Sequence, residues 1–127
     1  RYKNLSIEQS VVDPKSVLYN LDNCEDKIAV LTEGAFDVIR MGDGFFCSFG
    51  TELTQSQISM IKQRFEKVFI MFDNEEEAQA KARKFGLQIA SIGVEVELVD
   101  CYGDFNKNDG GQLNEQEVNI IRRELGL

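Results

Sequence analysis

The chain has 127 residues, 43% hydrophobic and 28% charged, which suits one domain with a single core and is too short for two comfortable ones. Its net charge of −8 argues against strong autonomous nucleic-acid binding, although bound divalent ions or neighbouring domains can supply the missing positive charge. With no histidine and three widely spaced cysteines, Ser-His-Asp and Cys-His catalysis and a tetrahedral zinc site fall away.

Any catalysis must therefore run on carboxylates, lysines and bound metal. Cys24, Cys47 and Cys101 share no close spacing, a usage that fits a reducing cytosol. The longest apolar runs are about a strand in length, so no membrane span, signal or transit peptide is expected. A start at Arg1 rather than Met reads as a piece of a longer polypeptide.

Residues 1–26 are weakly patterned, with one strand-like stretch at Val17-Leu18-Tyr19 after Pro14, and read as a lead-in packed on the domain edge. The patterned domain runs from 27 to 127. Ile28–Leu31 is a continuous apolar run, as a strand buried on both faces requires. Gly34–Met41 looks helical and is closed by Gly42 and Gly44. Phe45–Ser48 is a second short strand. Thr54 and Gln57 have the spacing of a capping box, ahead of a helix with Ile58, Ile61 and Phe65 on one face. Val68–Phe72 is another apolar strand. Asn74 and Glu77 repeat the capping spacing, and Ala78, Ala82, Phe85, Ile89 and Ile92 mark one face of a long helix closed by Gly93. Val94, Val96 and Leu98 alternate with Glu95 and Glu97, which predicts a half-exposed fourth strand. After a loop rich in Asn, Asp and Gly, Asn114 and Glu117 cap a last helix with Val118, Ile121 and Leu125 inward. Strands alternating with helices over short connections predict an α/β fold with a central, mainly parallel four-stranded sheet flanked by helices.

Open α/β sheets bind ligands beyond the carboxyl ends of their strands. Glu33 lies just past the first strand, Ser48–Thr51 past the second, Asp73 and Glu75 past the third, and Asp100, Asp104 and Asp109 past the fourth. A few carboxylates with solvent suit Mg²⁺, a hard cation that keeps several waters for substrate phosphates. Each acid also has a bland reading. Glu75, Glu76 and Glu77 also fit as ordinary first-turn acids facing a helix dipole. For Glu33 the bland reading is weaker, because a glutamate before a glycine has little capping value. Asp37, one turn on, is either a supporting group or a solvated side chain, and Gly50 alone is either a turn glycine or a point of close phosphate approach. Neither a P-loop nor a dinucleotide fingerprint is present.

Glu33-Gly34, then Asp73-Asn74-Glu75, then Asp104 or Asp109, resemble in order the motifs of the Toprim domain. That domain is shared by bacterial-type primases, type IA and type II topoisomerases, and a group of nucleases and recombination proteins. The resemblance covers roughly residues 27–125. Within the family, EGAFDVI (33–39), SFGTELT (48–54) and NDGGQLNEQEV (108–118) look like primase segments, and VLYNLD (17–22) is most like phage primases and primase-helicases. Two positions depart from the pattern. Glu75 stands where the second Asp of an Asp-x-Asp is usual, and Gly110 follows Asp109 where proline is usual, which leaves the later acid open between Asp104 and Asp109.

The resemblance implies a Rossmann-like Toprim fold and Mg²⁺-dependent phosphoryl transfer, with Mn²⁺ as a substitute. It implies RNA primer synthesis on single-stranded DNA from nucleoside triphosphates, in the cytoplasm, with other domains of the same polypeptide and a replicative helicase as partners. Asp73 and Glu75, with Asp109 or Asp104, would hold metal. Glu33 would bind metal or act as general base, with Gly34 and Asp37 in support, and Ser48, Gly50 and Thr51 would line the floor. The rival readings are a Toprim nuclease or topoisomerase module, an inactive binding domain, and a receiver-like signalling domain. The last wants paired acids after the first strand and a lysine after a fifth, and the chain shows neither.

Overall fold

The computed structural model describes residues 17–105 and 112–127. Four strands, β1 (Ile28–Thr32), β2 (Phe45–Cys47), β3 (Lys67–Met71) and β4 (Glu95–Leu98), form one sheet in the order β2-β1-β3-β4. All three pairings are parallel, with Thr32 opposite Cys47 on one side and Met71 on the other. The helices are α1 (Ala35–Met41), α2 (Gln55–Arg64), α3 (Glu76–Ala90), α4 (Cys101–Asp104) and α5 (Glu115–Glu124).

The sheet is covered on both faces. Ala29, Leu31, Phe46, Val68 and Ile70 pack with Ile61 of α2 and Ala82, Phe85 and Ile89 of α3. Val30, Phe45, Cys47, Phe69 and Met71 pack with Val38 and Met41 of α1, Tyr102 of α4, and Val118 and Ile121 of α5. The chain steps from β1 out to β2 by way of α1, then back across to β3 by way of α2 on the opposite face. Steps in opposite directions along a sheet must use opposite faces if both crossovers are right-handed. Burial on both sides explains why the two central strands are unbroken apolar runs.

Two of the three predicted capping boxes form. The Thr54 and Asn114 side chains accept from the backbone N–H of Gln57 and Glu117, whose side chains reach back to the cap N–H. Gln57 is buried and also donates to the Val17 carbonyl at 2.9 Å, so it ties the lead-in to α2. Of the lead-in, Leu18 and Cys24 are buried in the core, and Tyr19 forms an antiparallel bridge with Cys47.

Three expectations need correction. The cap of α3 is Glu75 rather than Asn74, and no side chain closes that helix end. The chain after β4 forms a short helix, α4, capped by Asp100, whose carboxylate accepts from the Gly103 N–H at 3.0 Å. Leu98 is 41% exposed instead of turned into the core, because β4 is an edge strand. That edge is blunted by charge. Lys67 bridges Glu95 at 3.2 Å and Glu97 at 3.3 Å across the β3–β4 pair.

Candidate active site

The connections after β1 and β3 leave in opposite directions, so the carboxyl ends of these neighbouring strands form the topological switch point of the sheet. Glu33 and Asp73 leave the sheet there. The Asp73 backbone N–H donates to Glu33 Oε1 in a long hydrogen bond of 3.4 Å, so the two acids meet across the switch point. Each is half-buried, and the Oδ1 atom of Asp73 is closed off from solvent.

Both turns are held by the protein's own groups. After β1, the buried Thr32 hydroxyl lies 3.2 Å from the Gly34 carbonyl, to which it donates. After β3, the Asp73 carbonyl accepts from the Glu75 N–H at 2.8 Å and from Gln79 Nε2 at 3.0 Å. The polypeptide bearing Asp73 is therefore pinned on both its N–H and its carbonyl, as a group that must hold a fixed geometry requires. Gln79 was invisible as a site residue in the sequence, since nothing marks a helical glutamine that reaches back to the preceding strand end.

Asp37 lies in the first turn of α1, half-buried. Burial pushes the Cys47 thiol up to about 12, and the negative charge of Asp37 adds to that push, which places its field over the end of β2. Gly34 is the extended N-cap of α1. A β-carbon there would meet nothing closer than Asp37 Oδ2 at 4.0 Å. In the turn after β2, Ser48 is buried and Thr51 exposed, and a β-carbon on Gly50 would come within 3.3 Å of the Glu52 carbonyl.

A cleft of about 430 Å³ opens beside the strand ends, with Glu33, Thr51 and Glu75 on its wall. Glu75 is exposed and makes no capping hydrogen bond, so its carboxylate is not spent on the helix end. The rest of the wall comes from α3, chiefly Glu77, Ala80, Lys81 and Lys84. The two lysines are absent from the sequence reading, because an exposed helical lysine carries no signal of its own. Asp104 ends α4, and Asp109 lies outside the described residues.

Among the described residues no three acids or cysteines converge closely enough to enclose a metal ion by themselves. Mg²⁺ does not ask for such a cage. It is held by one or two carboxylates together with water and substrate phosphates. Glu33 and Glu75 on one cleft, with Asp73 pinned against Glu33, are hard oxygen donors of the required kind, and the residues present fit the ion.

A family profile described as Toprim-like matches residues 30–109. The DNA primase of Staphylococcus aureus is 24% identical over an alignment of 151 positions, covering 98% of this chain and 25% of the primase. The DNA primase of Aquifex aeolicus is 36% identical over 77 positions, covering 57% of this chain and 15% of the primase. The chain thus spans about a quarter, or less, of the length of these curated relatives. Among solved structures, the zinc-binding and RNA polymerase domains of the Aquifex aeolicus primase superpose with a TM-score of 0.74 at 24% identity, over 91% of this chain and 30% of that one. A DnaG primase catalytic domain bound to single-stranded DNA gives 0.66 at 19% identity, over 90% and 40%. The profile match covers both acids of the switch point, and the same parallel sheet recurs in these primase structures; the chain belongs to the Toprim-like family, as a Toprim domain of the kind found in DNA primases.

Proposed function

We propose that this chain is the catalytic Toprim domain of a phage-like DNA primase or primase-helicase, with residues 27–127 as the catalytic unit and 1–26 as its lead-in. It joins nucleoside triphosphates into an RNA primer on a single-stranded DNA template. The observation that carries this reading is the meeting of Glu33 and Asp73 at the switch point, where Glu33 lines a cleft together with Glu75 and Thr51.

In the reaction a 3′-hydroxyl attacks the α-phosphorus of the next triphosphate, the bond to the β-phosphate breaks, and pyrophosphate leaves. When bound, Mg²⁺, or Mn²⁺ in its place, would supply positive charge to the phosphates and lower the pKa of the attacking hydroxyl. Asp73 and Glu75 would hold that ion, with Asp104 or Asp109 as the later ligand. Glu33 either shares it or takes up the hydroxyl proton, and the Asp73 N–H fixes the direction of its carboxylate. Asp37 supports this arrangement from the first turn of α1, and Ser48, Gly50 and Thr51 form the floor. The protein's main contribution is positioning, as in phosphoryl transfer generally. A replicative helicase, further domains of the polypeptide and a cytoplasmic setting complete the proposal.

The test uses the full polypeptide that carries these residues, single-stranded DNA, four ribonucleotides with one labelled, and Mg²⁺. Short labelled oligoribonucleotides that vanish with Glu33→Gln establish the reading. Shortened DNA without new RNA would instead make the module a nuclease.

A further inference from the structure

The cleft beside Glu33 has two chemically different ends. Glu33 and Glu75 stand at the strand ends, whereas the far wall is a face of α3 made by Glu77, Ala80, Lys81 and Lys84. At 100° per residue these four positions fall within about 100° of arc, so all face the same space.

Lys84 is anchored by Glu52 at 3.0 Å, on the segment that follows Thr51. Lys81 forms no ion pair among the described residues, whose salt bridges involve only Lys67 and Lys84. It is nonetheless positioned. Its ammonium lies 5.8 Å from the centre of the Phe72 ring and 5.7 Å from that of Phe85, two buried rings packed edge to face. A half-buried cation held over aromatic rings beside a cleft, in a chain of net charge −8, is matched to an anionic ligand rather than to the bulk surface.

We infer that Lys81, assisted by Lys84, binds the phosphate tail of the incoming nucleoside triphosphate, making Lys81 a positioning residue for that substrate. The inference rests on the catalytic reading of the same cleft. Carboxylates at one end and ammonium groups at the other suit a ligand that carries both a bound cation and uncompensated phosphate charge. A volume of about 430 Å³ is within the usual size range of a small-molecule site.

The test measures equilibrium binding of ATP and of inorganic tripolyphosphate, each with Mg²⁺, to the full polypeptide. Single-stranded DNA binding and primer synthesis are followed alongside. Lys81→Met keeps the aliphatic stem over Phe72 and Phe85 and deletes only the charge, Lys81→Arg restores the charge, and Lys62→Ala on α2 is the control. Deleting the charge is expected to weaken ATP and tripolyphosphate about tenfold or more, the worth of a charge-assisted hydrogen bond, and to raise KM with little change in kcat. Arginine should recover most of the binding, and DNA affinity should hold. Unchanged nucleotide binding in Lys81→Met, no nucleotide binding by the parent, or a loss confined to DNA would each overturn the inference. Lys81-dependent nucleotide binding without any RNA product would sustain it and sink the primase reading, so the two fail separately.

Discussion

At the scale of single residues, the switch-point acids are set apart from the other acids by what their backbones do. Asp73 gives its N–H to Glu33 and its carbonyl to Glu75 and Gln79, so its position is fixed before any ligand arrives. Glu33→Gln or Asp73→Asn is therefore expected to cut primer synthesis by about 10²- to 10⁴-fold, the usual worth of a positioned acid or base. The melting temperature of the metal-free protein should stay level or rise, because one of two like charges that meet at the switch point is removed. Activity assays paired with thermal melts check both halves, and a large fall in melting temperature would recast these acids as structural. The cysteines carry a different expectation. Cys24 and Cys47 are buried, and burial pushes their thiols up to about 11 and about 12. A group whose folded pKa is raised stabilises the fold below its unfolded pKa and loses that contribution as pH climbs through the folded one. Stability should thus decline from about pH 9 upward, and the decline should be shallower in Cys47→Ala whatever its absolute stability. Native thiols should also resist a disulfide reagent at pH 8 and react fully once the chain is unfolded.

At the scale of elements, the helix starts divide into those closed by side chains and one left open for other use. Thr54 and Asn114 complete capping boxes, whereas Glu75 at the head of α3 makes no cap. Thr54→Ala and Asn114→Ala should each cost about 1 kcal/mol in urea unfolding, and Asn74→Ala should stay within about 0.5 kcal/mol. A cost at Asn74 equal to the other two would return the cap to that residue and leave Glu75 less available to a ligand. The same contrast shows what could be read beforehand. The central strands announced themselves because burial on both faces demands uninterrupted apolar runs, and the two capping boxes because their partners lie within four residues. The order of the strands was not legible, because right-handed crossovers are compatible with more than one order and only the packing of α1 and α2 on opposite faces decides it. The helix α4 was not legible, since four residues give no helical period, and Asp100 looked like one more acid on the ligand edge although it caps that turn. Glu75 showed the same ambiguity in reverse. Capping and metal binding ask for the same residue type at the same place, and only the side-chain geometry separates them. Gln79, Lys81 and Lys84 stayed hidden because their roles depend on which helix face meets the strand ends, a long-range fact with no local pattern.

At the scale of the whole molecule, the decisive quantity is how few positive charges are free. The chain carries 14 Lys and Arg against 22 Asp and Glu. Several of the cations are already engaged inside the fold. Arg64 donates to the Leu21 and Cys24 carbonyls, Arg122 to those of Met41 and Asp43, and Arg40 to that of Leu113. Lys67 is held by Glu95 and Glu97, and Lys84 by Glu52. Arginines that tie α5 and the lead-in to the rest of the domain cannot at the same time track a nucleic-acid backbone. These 127 residues on their own should therefore hold single-stranded DNA weakly. The logarithm of affinity should fall with the logarithm of salt at a slope of about −1 to −2, equivalent to two or so neutralised phosphates. A titration by fluorescence anisotropy across salt concentrations measures that slope directly. A slope several times steeper would reveal a basic groove within this chain and make it a template binder as well as a catalytic unit. The shallow slope would assign the grip on the template to other parts of the polypeptide, leaving this domain to handle phosphate charge at the cleft where Glu33 and Glu75 face Lys81 and Lys84.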